Sequence, residues 1–200
     1  MKKNHAENLL KLAREKGVLR TRDLDKFGIP RVYLSRLCEK GLLYRASRGV
    51  YIRADSDITE NHDLAQVARR VPDGVICLIS ALQFYNIGTQ IPHKVWIAIG
   101  EKDRQPRMKY PPIRIVRFSG EARNAGIEVH EIEGVSVKIY SVAKTVADCF
   151  KYRNKIGLDV VLEALRECRR EKLCSMDDLW SNAKICRVAN VMRPYLEALA

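Results

Sequence analysis

The side chains best suited to chemistry in this chain are guanidinium groups: Arg31 and Arg36 in PRVYLSRLCEK, and Arg45 and Arg48 just downstream. A guanidinium holds a phosphate, or the edge of a guanine, through paired hydrogen bonds. Leu34, Leu37 and Cys38 recur at helical spacing, so they share one buried face. The opposite face then carries Val32, Ser35, Arg36 and Glu39, with Arg31 near the helix start. On the second helix of a helix-turn-helix, that face enters a DNA major groove. Arg31, Val32, Ser35 and Arg36 are therefore the candidate groove residues. Val32 has little structural reason to face outward, and contact with a thymine methyl would supply one. Tyr33, Arg45 and Arg48 are expected to hold phosphates, Arg48 alternatively probing the minor groove.

The elements that must position these residues lie between Gly17 and Arg53. Thr21 can cap a helix running to Phe27, with Asp23 in its first turn, where a negative charge suits the helix dipole. Gly28 permits the left-handed residue that ends it, and Pro30 suits the first turn of a second helix to Lys40, stopped by Gly41. Leu42 to Arg45 and Gly49 to Arg53 read as two strands around Ala46-Ser47-Arg48, a basic hairpin, or wing. Upstream, Ala6, Leu9, Leu10 and Ala13 mark an amphipathic helix from about Asn4 to Lys16. It should pack on Leu24, Phe27, Leu34 and Leu37. Leu19 reads as a short strand joining the wing sheet. The expectation is a winged helix-turn-helix DNA-binding domain over residues 1–55.

Charge agrees with that assignment. The 200-residue chain carries a formal charge of +12. Residues 1–53 hold 14 Lys and Arg against 5 Asp and Glu, and the remainder 22 against 19. Such asymmetry points to a polyanion, here double-stranded DNA, as partner of the N-terminal quarter. The six cysteines form no CxxC pair and mostly fall on apolar helical faces, as buried free thiols would in a reducing compartment. No signal peptide and no apolar run of about 18 residues is evident, so a cytoplasmic location is expected.

The polar stretch Ala54-Asp55-Ser56-Asp57 is the candidate boundary, with a second domain over residues 56–200. Leu64, Val67, Ala68 and Val71 give one helical face ending before Pro72. Val75 to Ile79 is a buried apolar run. Ser80 with Gln83 resembles a capping box opening a helix to about Tyr85. Strand-like runs follow at Lys94–Ile99, Ile113–Phe118, Ile127–Ile132 and Val135–Tyr140, the last two linked by a tight Glu133-Gly134 turn. From Ser141 the pattern is helical. Val142, Val146, Cys149 and Phe150 form one stripe, and Leu158, Val161, Leu162 and Leu165 another. Ser175 with Asp178 opens a third helix. A fourth carries Val188, Val191, Met192, Tyr195 and Leu199, with Pro194 expected to kink or restart it. The fold class is α+β: a winged helix-turn-helix followed by a mixed domain with a small, mostly antiparallel sheet and C-terminal helices.

No enzyme constellation assembles, and neither a catalytic residue nor a cofactor is expected. His5, His62, His93 and His130 lack ligand spacing, and no Walker loop, GxSxG or HExxH occurs. A metal-dependent nuclease would need clustered carboxylates. Glu101, Glu128 and Glu131 lie near strands, but no earlier Asp completes a set. Lys144 and Asp148, one helical turn apart, read as an exposed ion pair. Lys102, Arg104, Arg107 and Lys109 form a basic loop, either solvated or a second phosphate or RNA contact. A ligand-sensing repressor is the main alternative to a purely DNA-binding one, and a buried polar pocket in the second domain would favour it.

Four stretches carry a wider likeness. They are Arg48-Gly49-Val50-Tyr51, Ser80-Ala81-Leu82, Lys144-Thr145-Val146-Ala147-Asp148-Cys149-Phe150, and Val191-Met192-Arg193-Pro194-Tyr195-Leu196-Glu197. In this order the chain resembles the AbiEi-type antitoxins of type IV toxin–antitoxin systems. The resemblance implies a transcriptional autorepressor that binds DNA repeats at its own promoter. It further implies a second domain that opposes a nucleotidyltransferase-like toxin without binding it tightly.

Overall fold

The computed structural model describes residues 5–16, 18–47, 49–54, 59, 61–108 and 110–199. Arg48, Lys109 and the candidate boundary Asp55-Ser56-Asp57 lie outside the described residues. Two compact units emerge, Met1–Gln66 with Glu131–Val135, and Val67–His130 with Ser136–Ala200.

In the first unit α1 (His5–Lys16), β1 (Val18–Arg20), α2 (Thr21–Phe27) and α3 (Val32–Glu39) precede β2 (Leu43–Ser47) and β3 (Val50–Arg53). The strands form one antiparallel sheet in the order β1-β3-β2, pairing Leu19 with Tyr51 and Tyr44 with Ile52. The register shifts between Arg45 and Ser47, so Ala46 and Ser47 belong to β2 rather than to the turn. Leu9, Leu12, Leu24, Leu34 and Leu37 meet Leu19 and Leu43 in the core. Two expectations change. Thr21 opens α2, but its hydroxyl donates to the Gly49 carbonyl (3.3 Å), as does its N–H (3.0 Å), tying the helix to the hairpin. Phe27 is not core: it is 55% exposed, at the last position of a seven-residue helix, with the Lys16 ammonium 5.3 Å from its ring centre. α3 ends as expected, with Gly41 at φ 66° and the Leu42 N–H returning to the Leu37 carbonyl at 2.9 Å.

The remaining elements are α4 (His62–Arg70), β4 (Val75–Ile76), α5 (Leu78–Phe84), β5 (Val95–Gly100), β6 (Ile113–Phe118), α6 (Glu121–Asn124), β7 (Ile127–Ile132) and β8 (Val135–Tyr140). Then come α7 (Val142–Lys151), α8 (Arg153–Ile156), α9 (Leu158–Arg170), α10 (Met176–Ile185) and α11 (Ala189–Glu197). The sheet order is β6-β5-β4-β8-β7. It is mixed rather than mostly antiparallel: β4 runs antiparallel to β5, but β4–β8 and β5–β6 are parallel. The twelve residues between β5 and β6 carry the chain back to the starting end of the sheet, which parallel pairing requires. Glu133 (φ 51°) and Gly134 (φ 70°) make the tight β7–β8 turn.

The apolar run Val75–Ile79 divides: two residues of strand, then a helix whose first residue, Leu78, is buried at φ 50°. Ser80 therefore sits inside α5 and caps nothing; its buried hydroxyl accepts the Trp96 N–H at 2.9 Å. The Ser175–Asp178 capping box forms as expected. Pro194 is accommodated within α11.

The Lys144–Asp148 pair is the largest departure. Every residue of α7 from Ala143 to Phe150 is buried, and Lys144 is 0% exposed. Its ammonium pairs with Asp148 Oδ2 and lies 4.2 Å from the Tyr140 ring centre and 4.7 Å from that of Phe118. Asp148 Oδ1 accepts from Cys186 Sγ at 3.2 Å. Burial raises the Asp148 carboxyl above the ordinary aspartate range, although Lys144 pulls the other way. The pair is interior because small residues, Ala143 and Ala147, let neighbouring helices close over the helix side that the apolar stripe left open.

Candidate nucleic-acid interface

Along α3 the alternation of buried and exposed positions follows the helical period. Leu34 and Leu37 point into the core, while Val32 (50% exposed), Ser35 and Arg36 face outward with Arg31. Arg31 carries a constraint that spacing did not reveal. Its guanidinium pairs with Asp25 of α2 at 3.2 Å, both side chains being exposed. Such a pair is held weakly in water and can be exchanged for a phosphate.

Tyr33 is half-buried against the core, with its ring 5.3 Å from that of His5 and the Arg36 guanidinium 5.5 Å from its centre. The Tyr33 ring thus limits the directions that the long Arg36 side chain can take. Arg45 is exposed on β2. Its charge is felt at Cys38 near the end of α3, where it partly offsets the rise that burial imposes on the thiol. α3 and the first hairpin strand pack together, and Arg31, Ser35, Arg36 and Arg45 are all exposed. Arg48 lies outside the described residues.

Sequence reasoning missed Tyr44. It is 59% exposed on β2, between buried Leu43 and exposed Arg45. Its phenol suits a sugar–phosphate contact, although Tyr44 and Arg45, as successive strand residues, point to opposite faces of the sheet. No periodicity signals it, because burial does not alternate along this strand: Leu43 is buried, whereas Tyr44 and Arg45 are both exposed.

The start of the basic loop before β6 is held by arginines from β6 and α6. Arg117 Nη1 donates to the carbonyls of Gly100, Glu101 and Asp103 at 2.7–2.9 Å, and Arg123 pairs with Asp103 at 2.9 Å. Lys102, Arg104 and Arg107 remain exposed. Among the described residues no three His, Cys, Asp or Glu side chains converge as metal ligands would, and no helix is long and apolar enough to cross a membrane.

Comparison with known proteins falls on this same unit. Residues 7–54 match the family described as "Transcriptional regulator, AbiEi antitoxin". The AbiEi resemblance is therefore shown over α1 to β3. The other stretches that suggested it lie outside the match. No curated protein matches the chain. Among solved structures, that of the RV2827C protein from Mycobacterium tuberculosis is similar over 98% of this chain and 80% of the other, with a TM-score of 0.56 at 14% identity. At that identity the likeness is one of fold.

Proposed function

We propose that the chain is a DNA-binding transcriptional regulator of the AbiEi antitoxin type, whose N-terminal unit is a winged helix-turn-helix. In this reading residues 1–55 bind promoter repeats as double-stranded DNA and repress the protein's own operon in the cytoplasm. Residues 56–200 form the antitoxin domain that opposes a nucleotidyltransferase-like toxin. Regulation by binding, rather than catalysis, is the activity assigned. The observation that carries the reading is the outward face of α3. Arg31, Val32, Ser35 and Arg36 are exposed there over a leucine core, next to a basic hairpin, within the segment that matches a family of transcriptional regulators.

Arg36, with Val32 and Ser35 beside it, is assigned to base edges; Tyr33, Arg45 and Arg48 are assigned to phosphates. Neutralising roughly 4–6 phosphates gives a log–log salt slope of about −4 to −5 per bound domain. Gel-shift titration of the promoter fragment across a salt series measures it. Binding that ignores salt refutes the assignment.

A further inference from the structure

A polar hollow lies in the second unit, well away in sequence from the proposed DNA-binding face. A cleft of about 590 Å³ is lined by Ser119, Gly120 and Glu121, by Lys151 at the end of α7, and by Lys184 and Arg187 at the end of α10. Three cations thus face one carboxylate. None of the three is ion-paired with a described residue, whereas Arg123, Arg170 and Lys138 of the same unit all are. Two of them lie near aromatic rings: Lys151 Nζ is 5.8 Å from the Phe118 ring centre and Lys184 Nζ is 5.6 Å from that of Trp180.

Arg187 adds an independent observation. It closes α10 at φ 60°, its N–H bonded to the Lys184 carbonyl and the Val188 N–H to that of Ala183. This is the left-handed cap position that glycine fills without strain. Lys172 closes α9 in the same conformation, at φ 53°, and a cation suits a helix C-terminus; Arg187 differs in lining the cleft, where its side chain makes no ion pair with a described residue.

We propose that this cleft binds an oligophosphate, the chemistry shared by an inorganic polyphosphate and the phosphate tail of a nucleotide. Three cations from two helix ends, with the Ser119 and Ser181 hydroxyls, match a chain of phosphates better than a single one. The lining offers only Ala122 and Ile185 as apolar side chains, so the phosphates rather than a base are the recognised part. The proposal does not depend on DNA binding by the first unit, but it gives the regulator a second, small-molecule input.

The test is calorimetric titration of the full-length protein with tripolyphosphate, a nucleoside triphosphate and inorganic phosphate, at constant ionic strength. The proteins compared are wild type, Lys151→Gln/Lys184→Gln, Arg187→Gly, and a control with Arg31, Arg36 and Arg45 changed to Ala. Tripolyphosphate is expected to bind wild type and the control alike, with phosphate much weaker. Loss of one charge-assisted contact in Arg187→Gly should weaken binding roughly tenfold or more. The same variant should melt roughly 2–4 °C higher, because the cap strain is relieved. A structural role for Arg187 would lower the melting point instead. Equal affinity for tripolyphosphate and the triphosphate identifies the chain of phosphates as the whole ligand; tighter triphosphate binding, lost in the same variants, identifies a nucleotide. Undiminished binding in the cleft variants, or loss in the control, overturns the proposal. Promoter gel shifts with the cleft variants test the DNA reading separately and should be unchanged.

Discussion

Arg36 and Arg45 stand on different elements and should fail differently when removed. Arg36 lies on the helix face that carries Val32 and Ser35, with Tyr33 against it, so Arg36→Ala should cost about 1–3 kcal/mol of discrimination between operator and random duplex. Arg45→Ala should weaken both duplexes to a similar extent and reduce the salt slope by about one. Selection on randomised sites would expose the reverse pattern, which would make the hairpin the reader. The outward face was legible because the leucines at 34 and 37 fix the period. The exposure of Phe27 was not, because whether a ring at a helix end is covered depends on what packs there. Interior thiols make a second test at this scale. Burial, reinforced by the Asp148 carboxylate, pushes the Cys186 thiol up to about 12. In the unfolded chain it ionises near the ordinary cysteine value, so between about pH 9 and 12 the folded state holds a proton that the unfolded state has lost. The stabilisation is complete below pH 9 and declines with rising pH, by about 1.4 kcal/mol per pH unit for this thiol. Urea unfolding of Cys186→Ala across that range should show a correspondingly shallower decline, and an unchanged slope would contradict the assignment.

Helix α7 sets the stakes for the second unit, since it lies inside it on all sides with a charged pair at its centre. Two desolvated charges are favourable only while they face each other. Asp148→Ala should cost about 3–5 kcal/mol by leaving the Lys144 ammonium uncompensated among aromatic rings. Replacing both by apolar residues of similar size, Lys144→Met with Asp148→Leu, should recover most of that loss. Denaturant midpoints of the three proteins decide it. If the double variant is no better than the single one, Cys186 and Tyr140 depend on the charges themselves. The sequence pattern led here to a surface pair because lysine and aspartate four residues apart are ordinarily solvated. Burial on the second side of α7 came from α5, α9 and α10, which lie far from it in sequence or depend on chain reversals. The same holds for the sheet. Three of its strands, Ile113–Phe118, Ile127–Ile132 and Val135–Tyr140, have the bounds that periodicity gave. The parallel pairing of β4 with β8 and of β5 with β6 is a property of connections, which periodicity does not encode.

At the scale of the whole molecule the chain divides its charge and, in our reading, its labour. The excess of cations belongs to residues 1–53, while the rest is nearly balanced and poorly suited to nonspecific polyanion binding. DNA binding has no need of so long a second segment, which has its own core of Trp96, Phe118, Tyr140, Phe150, Leu165 and Met192. Between them the chain is not cut cleanly at one point: Thr59 and His62 are tied to Glu133, whose carboxylate accepts the Thr59 N–H at 3.0 Å and meets His62 Nδ1 at 2.6 Å. Glu133 thus groups with Thr59 and His62 in the first unit, and a C-terminal fragment that keeps these bonds has to begin before Thr59. A fragment from Asp57 to Ala200 should fold with a cooperative melt, fail to shift the promoter, and still rescue growth of cells expressing the neighbouring toxin. A fragment beginning at Val67 lacks both partners of Glu133 and should melt lower. Full-length protein with Arg31, Arg36 and Arg45 changed to Ala should match the Asp57 fragment in both assays, losing the promoter and keeping the rescue. Growth rescue and promoter binding measured on the same proteins separate the two activities. If the folded fragment gives no rescue, or only variants that bind the operator protect, then repression is itself the protective act and the second unit serves it rather than acting alone.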